Sequence, residues 1–184
     1  MASWSRIATR VRVPLGFAFA AAYLWLAKPN WVAIAIGGAA VLAGLAVRAA
    51  ASGHIRKNAE LTTTGPYAYT RNPLYLGSIL IAVGFLVAAQ SIWIAAATLA
   101  MFVFIYLPVV RAEEKYLQSA FPGYNAYAQA VPRFLPRFTP LASATANAQS
   151  FSWELYRKHR EYNAALGSAL MMGALILKMV LVKH

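Results

Sequence analysis

Residues Leu74–Val110 form a run of 37 without one charged side chain. As a single helix this run would extend about 55 Å, nearly twice the ~30 Å hydrocarbon thickness of a bilayer. The chain must therefore double back. Gln90-Ser91 is the most polar dipeptide inside the run and splits it almost in half. This predicts a helical hairpin, with helices over about 74–89 and about 92–110. Its tip lies on the far side of a membrane and its two feet return to the same side. Pro108 would kink the second helix near its base and free backbone carbonyls there.

Composition supports a membrane setting. The chain is 60% hydrophobic and only 12% charged, against roughly 25% charged in soluble domains. Seventeen Lys and Arg face five acids, for a net charge of +12, and the acids are all glutamate: Glu60, Glu113, Glu114, Glu154 and Glu161. A nucleic-acid partner is not expected, because the basic residues flank apolar segments in the manner of membrane topology. Without cysteine there is no disulfide framework, thiolate nucleophile or Cys-ligated metal. His54, His159 and His184 show no ligand spacing, so no metal is expected.

Arg6, Arg10 and Arg12 precede the apolar segment Val13–Ala27. A basic start and a short apolar core also describe a signal peptide. However, Leu26-Ala27-Lys28-Pro29 lacks a small-x-small cleavage site, so the segment reads as the first transmembrane helix, with Pro14 in its first turn. Lys28-Pro29-Asn30 is a turn between Trp25 and Trp31. Trp31–Val47 is the second helix, and its stripe of Ala33, Gly37, Ala40 and Gly44 permits close approach of a neighbour. Arg48, His54, Arg56, Lys57 and Glu60 then populate a polar loop reaching Asn72. Arginine and lysine here and at the N-terminus place both on the cytoplasmic side of an inner membrane. Residues 111–163 are basic and amphipathic, broken by Pro122-Gly123, Pro132, Pro136 and Pro140. Residues 141–150 read as a linker. Ala164–Val182 is apolar enough for a fifth span, with Lys178 snorkelling near its end; a re-entrant or interfacial helix is the alternative. The expected fold is an all-α polytopic membrane bundle of about five helices with a cytosolic pocket. It divides into an N-terminal hairpin (1–50), a core (51–140) and a C-terminal segment (141–184).

Polar chemistry gathers at the two feet of the hairpin. Gly65-Pro66 and Asn72-Pro73 are turn signals at the first. Tyr67, Tyr69 and Tyr75 suit a membrane interface, and Arg71 suits phosphates. At the second foot, Glu113 and Glu114 emerge directly below an apolar helix, where carboxylates need partners. Arg111 and Lys115 are nearby, but i,i+2 neighbours do not face each other on a helix. At least one glutamate therefore looks elsewhere, toward the first foot or a cationic ligand.

These residues resemble a family. Gly65-Pro66-Tyr67-Ala68-Tyr69-Thr70-Arg71-Asn72-Pro73-Leu74-Tyr75-Leu76-Gly77 is similar to the Arg-His-Pro-x-Tyr-x-Gly signature of the isoprenylcysteine carboxyl methyltransferase family, itself related to phospholipid methyltransferases. Arg111-Ala112-Glu113-Glu114, Leu117, Phe121-Pro122-Gly123-Tyr124, Tyr127 and Val131-Pro132-Arg133-Phe134-Leu135-Pro136 resemble its second block. The match covers about residues 60–137. It implies an integral membrane enzyme that methylates a lipophilic or lipidated acceptor from S-adenosylmethionine. By the same resemblance, Arg71, Asn72, Pro73, Tyr75, Leu76 and Gly77 would lie along the cofactor and Glu113 and Glu114 would hold its polar groups. Tyr124, Tyr127 and Arg133 would close the pocket. Asn72 stands where the family has histidine; asparagine can still hydrogen-bond but cannot be a general base. A carboxylate acceptor is already ionised at neutral pH and needs no base. Arg133 or Arg71 could orient it, with Glu113 completing the candidate catalytic set. An amine acceptor, as in phospholipid methylation, would need Glu113, Glu114 or a tyrosine to take a proton. Two other readings remain at this point: a membrane reductase using a reduced nicotinamide cofactor, and a non-catalytic lipid-binding protein.

Overall fold

The computed structural model describes residues 18–56, 60–142 and 149–182. Arg6, Arg10, Arg12, Pro14, Lys57, Lys183, His184 and most of the expected linker lie outside these residues. All regular structure among the described residues is helical. Helix α1 is described over 18–26. Helix α2 covers Trp31–Ser52, and Asn30 caps it by accepting the Ala33 N–H at 2.9 Å. A 3-10 turn, Gly65–Ala68, precedes α3, Pro73–Ala89. Gly65 has φ +57°, and a Cβ there would also meet the His54 ring 2.6 Å from Nε2, so both backbone and space demand glycine.

The expected hairpin is present. Helix α3 ends at Gln90, which takes a left-handed φ of +50°. The return arm is α4, Ile92–Met101, then a π turn over Phe102–Tyr106, then α5, Leu107–Ala120. Together they form one 29-residue helix, Ile92–Ala120. It runs ten residues past the end of the uncharged segment, so Glu113 and Glu114 are helical. Pro108 cannot donate to the Phe104 carbonyl one turn back. The backbone answers with a wide turn, in which the Leu107 N–H reaches the Phe102 carbonyl five residues earlier. Short helices α6 (Tyr124–Ala130) and α7 (Trp153–Lys158) lead to α8, Tyr162–Leu181.

Close packing fixes α2 against α3. Glycines meet in pairs along the seam, Gly37 with Gly84 and Gly44 with Gly77. A Cβ on Gly44 would lie 2.6 Å from the Gly77 carbonyl oxygen. Bare backbones can approach this closely only where side chains are missing.

Helix α8 runs antiparallel to α2 for its full depth. At one end Glu161 pairs with Arg48; at the other Leu175 is buried with Tyr23, Ala27, Ile34, Ala88, Ala89 and Ile94. Three helices are long and apolar enough to span a membrane, Trp31–Ser52, Ile92–Ala120 and Tyr162–Leu181, and Pro73–Ala89 is a shorter apolar one. The protein is an integral membrane helix bundle. Trp25, Trp31 and Trp93 are exposed around its far end, where indole rings favour the interface.

Two cations tie the spans together. Arg48 donates through Nε and Nη2 to both Glu161 oxygens at 3.0 and 2.7 Å, and through Nη1 to Ser78 and the Leu74 carbonyl. It thus joins α2, α3 and α8 where an unpaired charge would be costly. Lys178 donates to the carbonyls of Leu24, Trp25 and Ala27 at 2.6–3.0 Å, taking up acceptors that the end of α1 leaves open.

Candidate active site

The hairpin brings its two feet into contact. Tyr75, in the first turn of α3, donates its hydroxyl to Glu113 Oε2 on α5 at 2.9 Å, across 38 residues of chain. Successive helix positions point about 100° apart, so Glu113 and Glu114 have different surroundings. Glu113 lies at the surface; the Glu114 side chain is 10% exposed.

Glu114 is held from three directions. Arg133 grips it with Nη2 to Oε2 at 2.7 Å and Nε to Oε1 at 3.0 Å, the two-pronged geometry in which a guanidinium matches a carboxylate best. Asn72 Nδ2 donates to Glu114 Oε1 at 3.1 Å and to the Arg133 carbonyl at 3.2 Å. Arg71 Nη1 stands 3.5 Å from Oε1. The Asn72 amide thereby supplies one hydrogen to the second foot and one to the segment after α6, without adding charge. The Glu114 hydrogen bond raises the already high pKa of Arg133 further.

The segment after α6 is sewn to the loop before α3. Thr70 donates its hydroxyl to the carbonyls of Arg133 and Phe134, Arg71 N–H bonds Pro132 O at 2.9 Å, and Arg137 N–H bonds Tyr69 O at 2.9 Å. Tyr127 donates to the Tyr67 carbonyl at 2.8 Å. Residues 131–141 thus form a strap beside the feet.

These contacts frame a cleft of about 140 Å³. Of the sequence-derived candidates, Arg71, Asn72, Pro73, Tyr75, Glu113, Tyr124 and Tyr127 line it. Glu114 and Arg133 are paired with each other outside its lining. Leu76 does not line it either, and Gly77 sits in the α2–α3 seam against Gly44 and Arg48. The cleft also takes residues that sequence reasoning gave no such place: Tyr67, Tyr116, Ile55, Arg56, Glu60, Leu61 and Thr62. Tyr116 was legible, being one helical turn beyond Glu113. The 55–62 stretch carries no local signal.

Electrostatics assign roles. Burial, then the neighbouring Tyr127 and Glu113, pushes the Tyr67 hydroxyl well above its ordinary pKa. Burial does the same to Tyr127, and to Tyr124 with help from Glu114. These phenols are donors, not bases, at neutral pH. As proton acceptors for an amine substrate, Tyr67, Tyr124 and Tyr127 therefore drop out, Glu114 is occupied, and Glu113 is the carboxylate left.

Buried polar atoms seldom lack partners, yet the Tyr67 hydroxyl and Arg71 Nε have none within the protein. Both residues line the cleft. Glu113 lines the same cleft, and donors beside a carboxylate suit a zwitterionic ligand. S-adenosylmethionine has that character, with a carboxylate, an ammonium, a sulfonium and ribose hydroxyls, and Tyr67, Arg71 and Glu113 are the residues that would hold it. The cleft is smaller than the roughly 300–1,000 Å³ of a small-molecule site, so a ligand of this size would extend into its open mouth. Among the described residues no group of three or more His, Asp or Glu side chains is placed to hold a metal.

The phospholipid methyltransferase family model matches residues 32–123. The chain is 38% identical over 84 residues to the cobalt-zinc-cadmium resistance protein CzcN of Cupriavidus metallidurans. It is 39% identical over 84 residues to the nickel-cobalt-cadmium resistance protein NccN of Alcaligenes xylosoxydans xylosoxydans. Each match covers 46% of this chain and 39% of the relative, so the chain spans about two fifths of the length of these curated relatives. No solved structure matches significantly.

Proposed function

The chain belongs to the phospholipid methyltransferase family, and from that premise we propose that it methylates a lipophilic carboxylate using S-adenosylmethionine. The observation that carries this reading is the pair of buried, unpartnered donors, Tyr67 hydroxyl and Arg71 Nε, in a cleft that also presents Glu113. When bound, S-adenosylmethionine supplies a methyl group on a sulfonium, an electrophile that leaves as a neutral thioether.

The chain's own residues supply placement. Arg71 is fixed by its backbone bond to Pro132, by Tyr124 at 3.3 Å and by Glu114, which leaves Nε to orient an anionic group. Glu113, steadied by Tyr75, offers a carboxylate to an ammonium or to hydroxyls. Placement of this kind can provide most of the rate gain for a group transfer. A carboxylate acceptor requires no proton removal, which suits a foot where asparagine replaces histidine. The cleft faces the cytoplasm in this reading, following the lysines and arginines around it.

An amine headgroup is the second reading, and the surface-exposed Glu113 carboxylate favours it. Transfer of labelled methyl to a panel of membrane-soluble acids, including a prenylcysteine, and to phosphatidylethanolamine separates the two. The carboxylate reading expects a base-labile methyl ester released as methanol. Base-stable label on the amine lipid alone would overturn it in favour of the second reading, and absence of transfer to every acceptor would overturn both.

A further inference from the structure

We propose that the strap Arg133-Phe134-Leu135-Pro136-Arg137-Phe138 is embedded in the membrane leaflet on the cleft side, with Leu135 and Phe138 among the lipid chains. The inference starts from depth. Phe102 lies nine residues from Trp93, in the far-end tryptophan belt, and nine from Arg111, the first charge at the near end. At 1.5 Å per residue that is about 13 Å from either level, close to mid-bilayer. The Phe134 ring packs on Phe102 with centroids 6.3 Å apart. Even if that whole separation ran toward the near side, the ring would still lie about 7 Å inside the level of Arg111. Helical side chains lean toward their N-terminus, which for Phe102 is the far end, so the true depth is greater.

The strap therefore enters the apolar layer, and its surface has the matching chemistry. Leu135 is 80% exposed and Phe138 fully so. Two large apolar side chains this exposed, three residues apart in sequence, would be a liability in water. Arg137 sits between them, tethered through Nη1 to the Ala130 carbonyl at 2.9 Å. Its other donors suit lipid phosphates. Apolar residues interleaved with a snorkelling cation are what an interfacial segment presents to a bilayer. The same strap carries Arg133, so lipid packs directly beside the Arg133–Glu114 pair that fixes the feet.

The natural chain has no cysteine, so single-cysteine variants report one site each. Phe138→Cys and, independently, Leu135→Cys would carry an environment-sensitive nitrobenzoxadiazole label in the full chain, reconstituted in phosphatidylcholine–phosphatidylglycerol vesicles. Leu99→Cys on α4 is the lipid-facing reference and Ala120→Cys at the end of α5 the water-facing one. The strap labels should follow Leu99→Cys, quenched about fivefold more by nitroxide lipid than by aqueous iodide. Unlabelled, the strap cysteines should react about tenfold more slowly than Ala120→Cys with a charged thiosulfonate, which removes any pull from the label itself. Iodide quenching and thiol reactivity matching Ala120→Cys would overturn the proposal. Neither measurement needs cofactor or turnover, so the result stands whether or not the methyltransferase reading survives.

Discussion

Adjacent glutamates should fail in opposite ways. Glu114→Ala removes a carboxylate that is 10% exposed and leaves Arg133, Arg71 and one Asn72 hydrogen without their shared acceptor. Breaking a buried ion pair in this manner costs about 3–5 kcal/mol. Arg133 is 41% exposed and can turn to water, and Arg71 and Asn72 each keep another acceptor, so the low end, about 3 kcal/mol, applies. At this chain length each kcal/mol moves Tm by about 2–4 °C, giving a fall of about 6–12 °C. Glu113→Ala deletes only a surface hydrogen bond to Tyr75, for about 0–1 kcal/mol and at most about 4 °C. Yet Glu113→Ala should weaken S-adenosylhomocysteine binding about tenfold, equivalent to loss of one charge-assisted contact. The assay is thermal unfolding in detergent, followed by size-exclusion of the surviving fold, with calorimetric titration alongside. Equal Tm losses in the two variants, or a Glu114→Ala loss below about 2 °C, would refute the division of labour.

The remaining predictions are smaller in scope. Tyr67→Phe deletes a hydroxyl with no partner in the free protein, so Tm should hold or rise by a few degrees while ligand affinity drops; a fall in Tm with affinity unchanged would show the hydroxyl to be structural. Because Tyr67 and Tyr127 keep their protons above the usual phenol pKa of about 10 when folded, their contribution to stability is complete below pH 10 and is lost as pH rises further. Tm measured from pH 8 to 11.5 should decline above pH 10, and the Tyr67→Phe/Tyr127→Phe double variant should flatten that decline. Gly44→Leu places a side chain against the Gly77 carbonyl and should cost about 1–3 kcal/mol, read as poor monodispersity in detergent. Asn72→His cannot direct two hydrogens from one atom to Glu114 and the Arg133 carbonyl; it should lower Tm by a few degrees and change cofactor affinity less than about tenfold.

The hairpin was legible because it follows from two quantities a sequence carries: the length of an uncharged run and the place of its polar break. The α2 stripe was legible for a similar reason, since only missing side chains allow backbones to meet. Gln90 and Gly44 sit where those arguments put them. That a glutamate of the second foot turns toward the first was also legible, but the partners of Glu114 were not, because they are 42 and 19 residues away from it and nothing local couples them. The same holds for Arg48 and Glu161, 113 residues apart. Gly77 differs again: it belongs to a motif read through its likeness to a cofactor signature, and the structure shows it packed against Gly44. Tyr67 was read as an interfacial ring because a tyrosine's amphipathic character is visible in sequence and an unpartnered hydroxyl is not.

Two feet brought together by a chain folding back within lipid form one cleft, which we propose holds a sulfonium donor. Calorimetric titration of the purified protein with S-adenosylmethionine and S-adenosylhomocysteine, and with a reduced nicotinamide nucleotide in parallel, tests it most directly. The account predicts micromolar binding of both sulfur compounds, at about −8 kcal/mol, and none of the nicotinamide. Heat from the nicotinamide alone, or from none of the three, would contradict it.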